Sequence, residues 1–485
     1  MIRIYMFIGL VALLLSVQCG PAKDSVLFSG RGASQAEGIS IDVLKDYRLT
    51  DSLQQALAIR LGCEAASQLA LGPSDRSLYA RAQAVQNAED VYQSLLKEFF
   101  ATDDELIRCM KRWSAAGASR SDDRLRGVKQ LIKALSERGY SLTMLAVGGF
   151  GSHLTTNGTL WESRQLWAES ANEIKDETGA NEPLRAWRIE CENSYAPDDV
   201  CAPQLLAQVK QLDIEHSVTD PAKNLFLIWG YSKGTNTALQ ALTTSRELRE
   251  RTLAIVSLGA PIAGSGAIEL AEPFVAEILR RQMAGDGDGS LQLPFPVLAA
   301  LAPAMNWQET LAEFGRYMIG DAMTTVAAGA KSLRPDQRMS WLQDRFHRAD
   351  MKREELAGFR KSTIPVFHLS ALTHMGELRA LPALTYRDGL VIDERSFSFD
   401  DTKQFPLSFM SMNYAINDTC VALEHSVLPK KYLPGGVESE LIGILRSDHL
   451  AMGLSQTKDS GIPPSLIVDA VTEAVVERLK AEWFQ

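Results

Sequence analysis

The sequence is short of several things that would point to common functions. It has no Cys-x-x-Cys and no His-Glu-x-x-His, so a zinc site has no support. No Gly-x-Gly-x-x-Gly follows its first strand signal, which removes the dinucleotide fingerprint. It has no basic cluster: 50 Lys and Arg stand against 60 Asp and Glu for a formal net charge of -10, which argues against nucleic acid as a partner. Its one marked apolar run, Ile4 to Val17, falls short of the ~20 residues that span a bilayer. What it has is bulk. At 485 residues and 46% apolar composition it can bury a sizeable core, as one decorated domain or two.

The stretch that organises the chain is Leu225 to Gly234. Five apolar residues, Leu225-Phe226-Leu227-Ile228-Trp229, read as a buried strand and stop at Gly230-Tyr231-Ser232-Lys233-Gly234, which fits Gly-x-Ser-x-Gly. In that pattern a strand turns sharply into a helix, and the glycines let neighbouring backbone pass close to an exposed serine. Behind it, Ala238, Leu239, Ala241 and Leu242 have the spacing of a helix that packs on a sheet. Ser232 is therefore the candidate nucleophile.

The apolar run Ile4 to Val17 has the length of a secretory signal and follows one basic residue, Arg3. It ends at Ser16-Val17-Gln18-Cys19-Gly20, and Cys19 resembles the lipidated cysteine of bacterial lipoprotein signals, with Ser16 and Gln18 where that pattern has leucine and a small residue. The resemblance implies an exported protein tethered to a membrane through Cys19, facing the periplasm or cell surface; simple secretion or a retained signal anchor is the alternative. Of the other cysteines, Cys191 and Cys201 are the favoured disulfide pair, against five small buried apolar residues.

Residues 19–138 read as a linker and a helical prefix without a strand signal, with Leu53, Ala56, Leu57, Leu61 and Ala65 at helical spacing and a capping box at Thr102–Glu105. A strand at Leu142–Val147 then ends in Gly148-Gly149-Phe150-Gly151. Helix and strand signals alternate from there: a helix near 160–171, a strand at Leu184–Glu190, a helix at Gln204–Leu212, the elbow, and a strand at Leu253–Leu258. The alternation breaks over 262–361, where a Gly-rich tip carries Asp286 and Asp288 but has Val297 in place of the EF-hand glutamate, so no metal is expected. It resumes at Ile364–Leu369, continues through a short strand at Leu441–Leu445, and ends in a helix from Pro464.

These motifs together resemble the α/β-hydrolase superfamily, in particular its lipases and esterases. The elbow, the glycine loop, the Pro261 to Ser265 turn, and the segments around Asp418 and His449 carry the resemblance. It implies an α/β fold with a mostly parallel sheet, helices on both faces, and a helical cap. The domain plan is then 1–18 signal peptide, 19–138 prefix, 139–261 and 362–485 core, and 262–361 cap or lid. It also implies a Ser232-Asp418-His449 triad, with Asp388 as the alternative acid because a glycine follows it, and an oxyanion hole from the backbone N–H of Lys233 and of Phe150 or Gly149. His153, His368, His374 and His425 are read as surface or core residues. The activity so implied is cleavage of small-molecule or lipid carboxylic esters through an acyl-serine, without a cofactor; a catalytically inactive hydrolase fold serving as a surface-binding or structural module is the second reading.

Overall fold

The computed structural model describes residues 39–49, 67–72, 75–88, 91–100, 126–150, 184–215, 220–266, 328–353, 362–372, 416–447 except 419, and 464–483, with single positions that include Ser152, His449 and Met452. The signal run, Cys19, the capping box, the helix near 160–171, most of the cap insertion with its Gly-rich tip, Asp388, His153 and His374 lie outside them.

Helices α1 (Leu78–Gln86) and α2 (Val91–Phe99) belong to the prefix, and α3 (Arg126–Ser136) leads into β1 (Ser141–Val147). After β2 (Leu184–Ile189), α4 (Asp198–Glu215) leads to β3 (Asn224–Tyr231). Helices α5 (Lys233–Thr244) and α6 (Arg246–Arg251) then precede β4 (Thr252–Leu258). Helix α7 (Pro335–Trp341), β5 (Ile364–Leu372), β6 (Val437–Arg446) and α8 (Pro464–Trp483) complete the described strands and α-helices. The six strands are parallel throughout, in the order β2-β1-β3-β4-β5-β6. The expected fold class, a parallel sheet covered by helices with a helical prefix, is the one observed.

The apolar runs require this. A parallel strand is covered on both faces, so alternate residues enter two separate cores. Leu142, Met144, Leu225, Leu227 and Trp229 pack with Leu131 and Leu135 of α3 and Val471 and Val475 of α8. Leu145, Val147, Phe226 and Ile228 pack on the other side with Leu205 and Leu212 of α4 and Leu239 and Leu242 of α5. The order reverses between β1 and β3, which opens a crevice at their carboxyl ends, where open α/β sheets bind ligands. The glycine loop after β1 and the elbow after β3 both lie there.

Several bounds differ from the sequence reading. Strand β6 has ten residues rather than five, because its first half carries the half-exposed Glu438 and Glu440 and breaks the apolar run. Helix α4 starts at Asp198, six residues early, and contains Pro203. The prefix contributes strand pairing after all: Leu69 bridges antiparallel to Leu445, and Ala70 N–H donates to Ile444 O (2.8 Å), which covers the free edge of β6. The prefix also shares a core with the sheet's end, where Leu44, Tyr47, Leu78, Phe99 and Phe100 pack with Leu441 and Ile444.

Candidate active site

Ser232 stands between the last residue of β3 and the first of α5 at φ 52 and ψ -129, and among the described residues it is the only non-glycine with positive φ. Two glycines make this turn possible. A Cβ on Gly230 would lie 2.6 Å from the Thr235 backbone, and one on Gly234 would lie 2.6 Å from the Gly148 carbonyl. Elbow and glycine loop are thus packed backbone to backbone, and a Cβ on Gly149 would come 2.9 Å from that of Ser232. Ser232 N–H donates to Leu258 O (2.8 Å), which ties the turn to the end of β4.

His449 follows β6, and its Nε2 lies 2.9 Å from Ser232 Oγ. Its Nδ1 lies 2.7 Å from Asp418 Oδ2. The second carboxylate oxygen, Oδ1, accepts the N–H groups of Cys420 (2.9 Å) and Val421 (2.7 Å), a local turn that aims Oδ2 at the imidazole. With Asp418 only accepting, Nδ1 carries the proton and Nε2 presents its lone pair to the Ser232 hydroxyl. All three side chains are buried. The structure therefore brings Ser232, His449 and Asp418 into one hydrogen-bonded chain across three sheet-end segments; the alternative acid, Asp388, lies outside the described residues.

Other contacts hold His449 and the acid loop in place. His449 N–H donates to Asp418 O (2.7 Å), and Tyr231 Oη donates to His449 O (2.9 Å). Gly259, at φ 52, leaves room beneath the pair: its missing Cβ would lie 3.4 Å from both Asp418 Oδ2 and His449 Nδ1. Ser265 Oγ donates to Cys420 O (2.5 Å), and Ala263 N–H to His425 O (3.0 Å), so the 259–265 turn braces the acid loop.

The two residues expected to donate to an oxyanion lie on the turns that flank Ser232. Lys233 is the first residue of α5, where backbone N–H groups lack intrahelical partners. Phe150 lies within the glycine loop, which Ser152 N–H closes onto Gly149 O (3.1 Å). The Lys233 side chain turns inward and is buried, with Nζ 3.5 Å from Asp198 Oδ1. Burial pulls its ammonium below the ordinary lysine range, and Asp198 opposes that shift. Asp198 also meets Arg338 of α7 at 3.2 Å, where burial pushes the guanidinium down to about 10.

Of the other described histidines, His347 is exposed, and His368 and His425 are core residues. His368 Nε2 accepts from Leu428 N–H (3.3 Å) and faces Ser439 Oγ (3.0 Å), and burial lowers its pKa to about 3. Burial likewise takes His425 to about 4. Cys191 and Cys201 are joined in the favoured disulfide, and Cys63 is disulfide-bonded too, which overturns the reading of all five as small buried apolar residues, although Cys420 is buried and outside any disulfide. Among the described residues no group of His, Cys, Asp and Glu could hold a metal ion, and no helix is long and apolar enough to cross a membrane.

No protein-family model matches the chain, and no curated protein matches it in sequence. Solved structures do resemble it. A metagenomic carboxyl esterase, MGS0156, is 16% identical, with 70% of this chain and 76% of that one covered at a TM-score of 0.39. Lipase 1 from Pelosinus fermentans is 12% identical, with 70% and 98% covered at 0.35. A lipase-esterase related protein from Clostridium acetobutylicum is 13% identical, with 71% and 95% covered at 0.31. Superpositions this loose carry no argument about chemistry, which rests on the site itself.

Proposed function

We propose that the chain is an α/β-hydrolase that cleaves carboxylic esters with Ser232 as nucleophile, His449 as general base and Asp418 as the acid that orients it. The observation that carries this is the unbroken run of hydrogen bonds from Asp418 Oδ2 through His449 to Ser232 Oγ, on a serine held in a strained elbow. A serine hydroxyl is a weak nucleophile at neutral pH, so Nε2 takes its proton as Oγ bonds to the ester carbonyl carbon. The carbonyl oxygen becomes an oxyanion, stabilised by the backbone N–H groups of Lys233 and Phe150, and Asp418 stabilises the imidazolium. The tetrahedral adduct then expels the alcohol, which takes the proton from Nε2. Water, deprotonated by the same nitrogen, adds to the acyl-serine; collapse releases the carboxylic acid and returns the proton to Oγ.

The substrate class we assign is small-molecule or lipid esters. We place the enzyme outside the cytoplasm and tethered through Cys19; the disulfide between Cys191 and Cys201 supports an oxidising compartment. The test is a panel of p-nitrophenyl esters of increasing acyl length, run with wild type and Ser232→Ala. Turnover that needs Ser232 supports the reading. Equal, residual rates for both proteins across the panel would return the chain to the binding-module reading.

A further inference from the structure

We propose that the loop closed by the Cys191–Cys201 disulfide positions both oxyanion donors, with Asp198 acting through Lys233 and Tyr195 acting through Phe150. This rests on the serine-hydrolase reading above. The loop reaches the two donors by different chemistry. Tyr195 sets its ring edge-on against Phe150, with centroids 4.8 Å apart. Asp198 Oδ1 lies 3.5 Å from Lys233 Nζ and accepts from Thr237 Oγ1 at 2.8 Å. Lys233 and Thr237 are one turn apart on α5, so a single carboxylate grips the first turn of that helix at two points. Its other oxygen holds Arg338 at 3.2 Å, and Lys233 Nζ also lies 3.4 Å from Cys201 Sγ.

A hydrophobic side chain at position 233 would fill the same space without a buried charge. A buried ammonium is tolerated only where its counter-ion has a fixed place, so the ion pair gives a directional tether that apolar packing would not. That place is fixed by the loop. The disulfide sets the Cα atoms of Cys191 and Cys201 5.2 Å apart. Within the loop, Ala196 N–H donates to Asn193 O (2.8 Å) and Tyr195 N–H to Asn193 Oδ1 (3.1 Å). Gln204 Oε1, nearly two turns into α4, accepts from Glu192 N–H (2.8 Å). Donors that act on the oxyanion alone raise kcat and leave KM unchanged, and displacing them by an ångström costs about a hundredfold.

The experiment counts competent serines with a fluorophosphonate and measures p-nitrophenyl acetate turnover per labelled site. Wild type is run beside Asp198→Asn, Asp198→Glu and Tyr195→Leu. Expected is one labelled serine per chain, kcat per site lowered about ten- to a hundredfold in Asp198→Asn and Tyr195→Leu, KM within about twofold, and most of the rate recovered in Asp198→Glu. Asp198→Asn leaves two buried cations without their anion; should it not fold, Tyr195→Leu, which leaves the Asp198 carboxylate in place, decides alone. Unchanged kcat per site, or fewer labelled sites each at the full rate, would show that the loop serves only the fold and would overturn the inference. A wild type that takes up no probe would overturn the serine-hydrolase reading, and this inference with it.

Discussion

Ser232 occupies a backbone region that costs a residue with a Cβ about 1–2 kcal/mol. At an ordinary turn Ser→Gly is the worse substitution for stability, since glycine has more chain entropy to lose; here Ser232→Gly should melt no lower than Ser232→Ala by calorimetry, and both should be inactive. Asp418 has the opposite character, with every contact satisfied. Asp418→Asn would turn an amide N–H2 toward Nδ1 or force the wrong imidazole tautomer, so kcat should fall about a thousandfold or more while the fold persists. Glu424 makes a pH prediction. Burial pushes its carboxyl from the ordinary 4.5 up to about 7. Across that window the folded chain keeps a proton that the unfolded chain has released, so stability is unaffected below it, falls as pH rises through it, and stays lower above it. Glu424→Gln should therefore raise the melting temperature at about pH 8 and leave it unchanged at about pH 4; an equal shift at both would contradict this origin. At this scale Ser232, His449 and Asp418 were legible because each sits in a motif, the first two directly after strands β3 and β6. Tyr231 and Asp198 were not, because their roles depend on what lies opposite them in space.

The elbow works as an element because two turns from different strands touch. Gly234→Ala would put a methyl group against the Val147 and Gly148 carbonyls, which are backbone and cannot rotate away. It should destabilise by about 3 kcal/mol and slow probe labelling of Ser232, measured by chemical denaturation and by mass spectrometry. The inner strands β1, β3 and β4 were legible as apolar runs, since both their faces are covered. The first half of β6 was not: it lies near the sheet edge, where one face can carry Glu438 and Glu440. Nor could the pairing of Leu69 with Leu445 be read, because a two-residue bridge has no periodicity.

Across the whole molecule, the end of the sheet opposite the site is held by a buried charge network. Arg251 pairs with both oxygens of Asp213 (2.6 and 2.7 Å), donates to Asn224 O (3.0 Å) and lies over the Phe226 ring. Removing Asp213 leaves buried Arg251 with only the exposed Glu247 at 3.3 Å as its counter-ion, so Asp213→Ala should cost about 3 kcal/mol while kcat per labelled site stays at the wild-type value. Stability and chemistry are thus separated along β3, with Asn224 at one end and Ser232 at the other. The central claim is that Ser232 is activated by His449. It is tested most directly by intact-mass analysis after fluorophosphonate treatment of wild type, Ser232→Ala and His449→Ala, with folding checked by circular dichroism. One adduct on wild type, none on Ser232→Ala and a rate lowered by about a thousandfold or more on His449→Ala is the expected result. Labelling of folded Ser232→Ala, or equal rates for wild type and His449→Ala, would contradict it.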